Sequence, residues 1–240
     1  LTAAWCSPYG DLFVSTYNTT EPENNGQILH YDGNYWTQLD TDNTNSIYDI
    51  SGTSPTDFFA AGDSGTILHY NGSGWSRMNS NTSEYLHGIW AHSASDIYAV
   101  GDNGTILHSN GSSWSPMFFN TSNALIDVWV SPSGDAYAVG DFGIILNYNG
   151  SVWSSMDSNT SETLNGVWGT SSQDIWAVGN DCTVLHYNGS IWEAQNIGAP
   201  DGTLLIRVWG SSSTDIFVSS WGDYIYHWDG NTWSATDTRI

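Results

Sequence analysis

The stretch WGTSSQDIWAVGNDCTVLHYNGSIW, residues 168–192, contains the pattern that decides the fold of this chain. Its closing tryptophan recurs at intervals of 39 residues along most of the chain and once more after 41 residues. The members of this series are Trp36, Trp75, Trp114, Trp153, Trp192 and Trp233. Self-similarity at a fixed period of about 40 residues is typical of repeat architectures. The sequence therefore predicts six copies of one structural repeat.

Each repeat divides into four short segments that have the character of β-strands. They alternate apolar and polar residues and are rich in Val, Ile, Tyr, Phe and Trp. An Asn-Gly or Asp-Gly pair before each closing tryptophan predicts a tight hairpin turn, because both positions need positive φ. Four strands in about 40 residues is the pattern of a propeller blade. We therefore predict an all-β fold, a six-bladed β-propeller with four antiparallel strands per blade. The expected single domain spans residues 1–240, with blades at approximately 1–46, 47–85, 86–124, 125–163, 164–203 and 204–240.

The repeats resemble the tandem propeller repeats of secreted bacterial and archaeal proteins, which have the form W-G-x-S-x-x-D-I-x-A-V-G-x-x-G-T-I-L-H-Y-N-G-x-x-W. The fifth repeat, residues 168–192, follows this form almost throughout, and the resemblance covers the whole chain except an insertion around Ser15 to Asn25. The sixth repeat, DIFVSSWGDYIYHWDGNTW, also resembles the repeats of propeller lectins, which bind sugars between blades. The resemblance implies a secreted scaffold and, in its lectin part, a sugar ligand.

The chain is acidic because it has almost no basic residues. It contains 3 Lys+Arg, all of them arginine, against 25 Asp+Glu, and its formal net charge is −22. Such a surface repels phosphate groups, which excludes nucleic acid and anionic membrane surfaces as partners. No apolar run approaches the ~18 residues of a transmembrane helix, so we expect no membrane insertion. No signal-peptide pattern is present, and the neutral polar remainder is typical of secreted proteins. We therefore expect a mature extracellular or cell-surface chain.

Two polar residue types recur at fixed repeat positions. The histidines are His30, His69, His108, His186 and His227, with Asn147 in the remaining repeat. The aspartates, which open the second strands, are Asp11, Asp57, Asp96, Asp135, Asp174 and Asp215. Repeat symmetry separates equivalent side chains by far more than the ~2 Å bonds to one metal ion. We therefore expect no metal site, with hydrogen-bonding and stacking histidines and with aspartates that accept backbone N–H groups.

Residues that break the repeat are the candidates for function. Asp49, Asp127 and Arg207 stand two positions before the first-strand tryptophan position of their repeats. First strands line the channel of a propeller, so we expect these three side chains to converge on the axis. There they would bind a cation or a polar ligand, or form an ion pair around ordered water. Trp176 and Trp221 also break the repeat, and we expect their rings to contact a ligand.

One long insertion, from Ser15 to Asn25, has Glu21 and Glu23 at its centre. Loops on a rigid scaffold often carry recognition, although a loop without a role fits equally well. Residues 40–43, DTDN, offer oxygen ligands but lack the glycine and the distal glutamate of an EF-hand. We therefore expect no cofactor, with a structural calcium ion as the alternative left open.

Sequons and cysteines suggest covalent modifications. The candidate glycosylation sites are Asn18, Asn71, Asn81, Asn103, Asn110, Asn120, Asn149, Asn159 and Asn188. The two cysteines, Cys6 and Cys182, fit neither a disulfide framework nor a metal cluster. We expect them in loops on opposite faces of a propeller. A disulfide between stacked subunits therefore fits better than an intramolecular one.

The repeat contains no pattern of a known catalytic centre, so we expect a protein that is not an enzyme. Asp49 and Asp127 are the only carboxylate pair that would suit a glycoside-acting enzyme. The favoured function is an extracellular binding module that recognises glycans or another cell-surface component through inter-blade or rim loops. The alternative is a structural subunit that assembles with copies of itself into a surface layer, sheath or filament.

Overall fold

The computed structural model describes residues 2–16, 26–41 and 45–239. The chain divides into two compact units, Leu1–Ser122 and Asn123–Ile240. Each unit contains three antiparallel sheets, and each sheet consists of four strands that are consecutive in the sequence and hydrogen-bonded in that order. Each sheet is therefore one blade formed by a continuous stretch of chain, and we number the blades 1 to 6. Within the described ranges, no helix is long and apolar enough to cross a membrane.

The first unit contains blades 1 to 3. Blade 1 consists of β1 (Ala3–Cys6), β2 (Leu12–Thr16), β3 (Gln27–Tyr31) and β4 (Trp36–Leu39). Blade 2 consists of β5 (Ile47–Ser54), β6 (Asp57–Gly62), β7 (Thr66–Tyr70) and β8 (Trp75–Met78). Blade 3 consists of β9 (Leu86–Ser93), β10 (Asp96–Gly101), β11 (Ile106–Ser109) and β12 (Trp114–Met117).

The second unit contains blades 4 to 6. Blade 4 consists of β13 (Leu125–Val130), β14 (Ala136–Gly140), β15 (Ile145–Tyr148) and β16 (Trp153–Met156). Blade 5 consists of β17 (Leu164–Ser171), β18 (Asp174–Gly179), β19 (Val184–Tyr187) and β20 (Trp192–Ala194). Blade 6 consists of β21 (Leu205–Ser212), β22 (Asp215–Ser220), β23 (Tyr224–Trp228) and β24 (Trp233–Asp237).

A short 3-10 turn joins the second and third strands of blades 2, 3 and 4. The turns are Asp63–Gly65, Asp102–Gly104 and Asp141–Gly143. The middle residue of each turn has a left-handed backbone, with φ of 52° at Ser64, 53° at Asn103 and 55° at Phe142. The closing glycine is required by close approach, because a Cβ at Gly65 would lie 2.1 Å from the Thr82 carbonyl oxygen.

A side-chain network fixes the second and third strands of five blades. In blade 2, Nε2 of His69 lies 2.8 Å from Oδ1 of Asp57, and the Thr53 hydroxyl donates to Oδ2 of the same carboxylate at 2.8 Å. The imidazole also stacks on Phe59, with ring centroids 4.4 Å apart. The histidine–aspartate pairs are His30–Asp11, His69–Asp57, His108–Asp96, His186–Asp174 and His227–Asp215. These carboxylates accept hydrogen bonds from side chains, where the sequence suggested backbone N–H donors.

Blade 4 departs from this network because Asn147 takes the place of the histidine. The Asn147 amide donates to the Ala136 carbonyl oxygen at 3.3 Å, and Asp135 accepts from the Ser133 hydroxyl at 2.8 Å. Tyr137 takes the aromatic position, and its hydroxyl donates to the Ser172 carbonyl oxygen at 3.2 Å. Burial raises the pKa of Tyr137 to about 12, and the Asp135 charge acts in the same direction.

Within each unit, aromatic side chains fill the space between neighbouring blades. Phe58 of blade 2 lies 4.4 Å from Phe13 of blade 1, measured between ring centroids. In the second unit, Trp176 of blade 5 meets Trp233 of blade 6 edge-on at 5.6 Å. Full burial of a side chain as large as Phe stabilises the fold by about 1.5–3 kcal/mol. These layers are therefore a main source of blade-to-blade cohesion inside each unit.

Candidate functional site

Asp127, a predicted axial ligand, connects the first strands of blades 4 and 5. Its side chain is buried, at 8% exposure. Oδ1 accepts the N–H of Val128 at 3.0 Å, and Oδ2 accepts the N–H of Val167 at 2.9 Å. Burial raises the pKa of Asp127, while the charge of Arg207 and the two N–H donors act in the opposite direction. Both carboxylate oxygens are therefore occupied by backbone donors.

Asp49 makes the same connection in the first unit. Its Oδ1 accepts the N–H of Ile50 at 2.9 Å, and its Oδ2 accepts the N–H of Ile89 at 2.8 Å. Ile50 lies on β5 of blade 2 and Ile89 on β9 of blade 3. The carboxylate thus links two first strands whose backbones belong to separate sheets. This role gives a structural reason for the residue type at this position.

Arg207 connects blades 5 and 6. Its Nη1 donates to the carbonyl oxygens of Asn165, at 2.6 Å, and Ile206, at 3.2 Å. Its positive charge also lowers the pKa of Asp127, so the structure brings these two predicted residues within electrostatic reach of each other. The binding of a cation or polar ligand by the set of Asp49, Asp127 and Arg207 remains a prediction.

The two tryptophans that break the repeat lie in opposite environments. Trp176 is 3% exposed, and it stacks on His186 with ring centroids 4.2 Å apart. Its ring is a core element between blades 5 and 6 and is not accessible to a ligand. The second-strand position of Trp176 is aromatic in all six repeats, so a comparison of the repeats separates this core ring from Trp221. Trp221, between β22 and β23, is 79% exposed and remains a candidate contact.

The cysteines are both free thiols. Cys6 is exposed, but it is the last residue of β1, so the prediction that it lies in a loop was wrong. Cys182 lies in the turn between β18 and β19, is partly buried and has a left-handed φ of 58°. A disulfide between subunits that involves Cys6 and Cys182 remains a prediction.

The described sequons lie in hairpins, in connecting loops and, at Asn103, in a 3-10 turn. Four of them open the hairpin between the third and fourth strands, are exposed, and accept two backbone N–H groups of the turn: Asn71, Asn110, Asn149 and Asn188. Asn120 and Asn159 are exposed in connecting loops. The amide nitrogens of Asn81 and Asn103 donate to Trp114 and Glu84 respectively, and Asn18 lies outside the described residues. Glycosylation at these sites remains a prediction.

The insertion and the calcium-like stretch fall largely outside the described residues. Residues 17–25, which include Glu21 and Glu23, are not described, and neither are residues 42–44. In the parts of the chain that are described, no three His, Cys, Asp or Glu side chains are grouped to hold a metal ion.

A cleft between blades 2 and 3 is a candidate site that was not among the predictions from the sequence. Its volume is about 340 Å³, which lies within the range of about 300–1,000 Å³ typical of small-molecule pockets. One wall is the end of β8 with the loop that follows it, and the other is the third-to-fourth-strand hairpin of blade 3. The lining residues are Arg77, Met78, Asn79, Asn81, Ser112, Ser113 and Trp114.

Hydrogen bonds hold the polar wall of this cleft in place. The Asn79 amide donates to Oδ1 of Asn81 at 2.9 Å, and the Asn81 amide donates across the cleft to the Trp114 carbonyl oxygen at 3.2 Å. Ser80, between them, is buried and donates to the Gly65 carbonyl oxygen at 2.6 Å. Trp114 is 3% exposed, and its indole N–H faces the Met78 sulfur at 3.4 Å. The cleft is therefore an ordered feature that joins two blades.

The sequence does contain a signal for this cleft, in deviations from the repeat at a fourth strand. Arg77 lies opposite Leu68 in the register of blade 2, where blade 4 has Ser155 opposite Leu146 and blade 3 has Pro116. The axial candidates come from first strands, because those line a propeller channel. A comparison of the fourth strands across the repeats identifies Arg77 as a residue that breaks the pattern.

Phe142 is a second unexpected feature. It is 73% exposed and occupies the left-handed turn position that Ser64 and Asn103 hold in blades 2 and 3. A non-glycine residue in this conformation carries a penalty of about 1–2 kcal/mol, and a bulky apolar one gains no local hydrogen bond to offset it. An exposed apolar ring at a strained position is a candidate contact for a partner.

No protein-family model matches the chain, and no curated protein matches it by sequence. Solved structures do match. The structure titled "YCF48 bound to D1 peptide" has a TM-score of 0.74 and 16% identity, covering 98% of this chain and 81% of that one. A catalytically inactive virginiamycin B lyase from Staphylococcus aureus with quinupristin has a TM-score of 0.75 and 12% identity, covering 100% and 84%. The WD40 repeats of RRP9 have a TM-score of 0.77 and 9% identity, covering 95% and 76%.

The chain is a six-bladed β-propeller. The blade count, the four antiparallel strands per blade and the likeness to propeller structures confirm the fold class predicted from the sequence. Identities of this size show the fold alone. The propellers that resemble this chain include a peptide-bound protein, a WD40 protein and a lyase, so the fold is compatible with both binding and catalysis.

Proposed function

We propose that this protein is a non-catalytic binding module that recognises glycans in the cleft between blades 2 and 3. The observation that carries the proposal is the lining of that cleft. Side-chain amides, hydroxyls and one guanidinium surround a space whose apolar side is Met78, with the Trp114 ring buried behind it at 3% exposure. Sugars combine many hydroxyl groups with apolar ring faces, so they need neutral donors and acceptors beside an apolar wall.

Hydrogen bonds that already fix the side chains of the cleft support its role in ligand binding. Asn79 and Asn81 bond to each other and to blade 3, so their remaining hydrogen-bonding positions are fixed before a ligand arrives. Ligand affinity increases when the groups that bind are already immobilised, because less conformational entropy is lost on binding. The resemblance of the sixth repeat to propeller lectins favours the same kind of ligand.

The hydroxyl–aspartate–histidine networks favour a structural role over catalysis. A nucleophilic serine or threonine needs a base within hydrogen-bonding reach of its hydroxyl. In blade 5, the Thr170 hydroxyl donates to one oxygen of Asp174, and His186 contacts the other oxygen of that carboxylate at 2.7 Å. The aspartate therefore lies between the two groups, and the histidine is not placed to activate the hydroxyl.

The experiment is a glycan array with the full chain and a Ser113→Ile variant. Blade 5 has Ile191 at the corresponding turn position, exposed at 57%, so the substitution is compatible with a blade of this kind. We expect the wild-type protein to bind a defined set of saccharides and Ser113→Ile to lose at least tenfold in affinity, because the side chain fills the cleft. Wild-type protein that binds no saccharide, or a variant that binds equally well, would contradict the proposal.

An extracellular or cell-surface location belongs to the same proposal. The absence of lysine and a polar remainder rich in Ser, Thr, Asn and Gly support it, as does the resemblance of the repeats to those of secreted proteins. Fractionation of the native host, with antibody detection in the medium and at the cell surface, tests the location. Signal confined to the cytoplasm would oppose it.

A second candidate function is self-assembly, and the exposed face of blade 6 favours it. In blade 5 the Trp176 ring is covered by Trp228 and Trp233 of blade 6. The first-strand Trp209 of blade 6 is 57% exposed, and Trp221 of the same blade is exposed as well. A second copy of the chain would bury these two exposed rings.

Analytical ultracentrifugation of wild-type and Trp209→Ser protein tests this assembly. Blade 2 has Ser51 at the corresponding first-strand position, so the variant keeps a residue that the repeat accommodates. Concentration-dependent oligomers that the variant loses would support assembly. A wild-type protein that stays monomeric at high concentration would rule it out.

A further inference from the structure

We propose that the cleft between blades 2 and 3 selects acidic saccharides, because Arg77 holds a carboxylate or sulfate group of the ligand. This inference rests on the proposed glycan-binding function and specifies its ligand class. Arg77 lies on β8 and lines the cleft beside Asn79. A guanidinium presents a planar set of N–H donors that matches the two oxygens of an anionic group.

Among the described residues, Arg77 is the one arginine whose charge is not already used by the protein. Arg207 donates to two backbone carbonyl oxygens and faces the buried Asp127. Arg239 forms an ion pair with Asp237 and another with Asp223. Within residues 2–16, 26–41 and 45–239, the Arg77 side chain has neither a hydrogen bond nor an ion pair.

The lack of a protein partner for the Arg77 guanidinium is informative because the chain is strongly acidic. The chain carries 25 acidic residues and a net charge of −22, so acidic side chains are abundant partners for any cation. The cleft itself is lined by amides, hydroxyls, Met78 and Trp114, and no carboxylate is among the described residues that line it. A single ligand anion in the cleft therefore meets the cation without a competitor from the lining, whereas the net charge of −22 still repels polyanions such as nucleic acid.

Blade 4 has the same strand and loop sequence pattern without the cation. Ser155 occupies the place of Arg77, each opposite the third-strand leucine of its blade. Asp157 occupies the place of Asn79, two residues before Asn159, which corresponds to Asn81. The repeat therefore tolerates an uncharged residue at one position and an acidic residue at the other, which supplies two substitutions with a structural precedent.

The neutral groups of the cleft favour a saccharide over an acidic peptide as the carrier of the anion. The Asn79 amide and the hydroxyls of Ser112 and Ser113 are spread over both walls, with Met78 as the apolar residue beside them. Such a lining matches a ring that bears several hydroxyl groups and one charged substituent. An extended acidic peptide would present one carboxylate per residue and would need further cations along its path.

Isothermal titration calorimetry with matched ligands tests the inference. The probes are a glucuronic acid–N-acetylglucosamine disaccharide, its carboxyl-reduced counterpart, sulfated N-acetylglucosamine and an oligo-glutamate peptide. The proteins are the wild-type full chain, Arg77→Ser and Asn79→Asp. The melting temperature and near-UV circular dichroism of each variant verify that it is folded.

We expect the wild-type protein to bind the uronic acid or the sulfated sugar more tightly than the carboxyl-reduced disaccharide. Loss of a charge-assisted hydrogen bond predicts that Arg77→Ser weakens acidic-sugar binding by about tenfold to a hundredfold. Binding of the carboxyl-reduced disaccharide should weaken by a smaller factor, because Arg77 can lose only a hydrogen bond to a neutral group there. Asn79→Asp should weaken acidic-sugar binding similarly, because it places a carboxylate beside the cation.

The outcomes separate this inference from the proposed function. Equal binding of acidic and neutral sugars, with no effect of Arg77→Ser, overturns the selection of acidic saccharides and leaves glycan binding intact. Binding of no saccharide overturns both. Binding of the oligo-glutamate peptide in preference to the sugars overturns the saccharide class and assigns the cation to a peptide partner.

Discussion

Replacement of Asn147 by histidine should stabilise blade 4. Five blades pair a histidine with the aspartate that opens the second strand, at 2.7–2.8 Å, and blade 4 has Asn147 instead. Asn147→His should place an imidazole beside Asp135 and against Tyr137. The corresponding group in blade 3 is His108, which bonds to Asp96 and contacts the ring of Tyr98 at 4.7 Å.

The size of the effect is the difference between a new hydrogen bond and the one it replaces. A hydrogen bond to a charged group contributes about 1.5–3 kcal/mol. The existing pairs are partly exposed, for example 33% for His108 and 29% for Asp96, and solvent screening reduces the gain to about 1 kcal/mol. The bond from Asn147 to Ala136, at 3.3 Å, is lost at about 0.5 kcal/mol. The net gain of about 0.5 kcal/mol corresponds to a rise of about 1–2 °C in melting temperature.

Differential scanning calorimetry at neutral pH measures this change, with His108→Asn as the reverse control. Removal of the His108 imidazole leaves Asp96 without its donor and removes the contact with Tyr98. We expect this variant to lose about 1–2 kcal/mol. A melting temperature that is unchanged in Asn147→His and in His108→Asn would refute the structural role assigned to the network.

Three further predictions concern stability. Phe142→Asn should raise the free energy of unfolding by about 1 kcal/mol in urea denaturation, because Asn103 occupies the same left-handed turn position in blade 3. A variant less stable than the wild type would contradict the backbone strain assigned to Phe142. Asp127→Asn should lower the free energy of unfolding by about 1–3 kcal/mol, because an amide cannot accept from both buried N–H groups; unchanged urea unfolding would contradict the bridging role. The hydrogen bond from His186 lowers the pKa of Asp174, so the stabilisation it gives is present above the unfolded-state pKa and is lost as the pH falls through the lower folded-state value. Acid titration followed by circular dichroism should show that loss below about pH 4, and a profile that is flat to lower pH would argue against it.

The fold was predictable because the repeat encodes it several times over. The tryptophan series, the Asn-Gly turns and the strand alternation all point to the same four-stranded blade, and the sheets follow the expected strand order. The structural role of the repeated histidines was also predictable, since symmetry separates them. The actual partner of His69, the Asp57 carboxylate, depends on strand register and needed the structure.

The candidate site was less predictable, for physical reasons. The burial of Trp176 depends on the neighbouring blade, which supplies Trp228 and Trp233. The sequence carries one signal for a shared core role, the aromatic residue at this second-strand position in all six repeats, but it does not show which rings cover Trp176. Whether the Arg77 guanidinium has a partner likewise depends on which residues the fold places next to it. The comparison of repeats locates Arg77. Only the structure shows that its guanidinium lacks a partner, whereas the guanidinium of Arg207 donates to backbone carbonyl oxygens.

The most direct test of glycan binding in the cleft is a heteronuclear NMR titration of the full chain with the glucuronic acid–N-acetylglucosamine disaccharide. We predict chemical-shift changes concentrated at the backbone and side-chain amides of Asn79 and Asn81 and at the backbone amides of Ser112 and Ser113. The corresponding residues of blades 4 and 5, Asp157 and Ile191, should not shift. Shifts centred on Trp221, or no shifts at saturating disaccharide, would contradict the assignment of this cleft as the binding site.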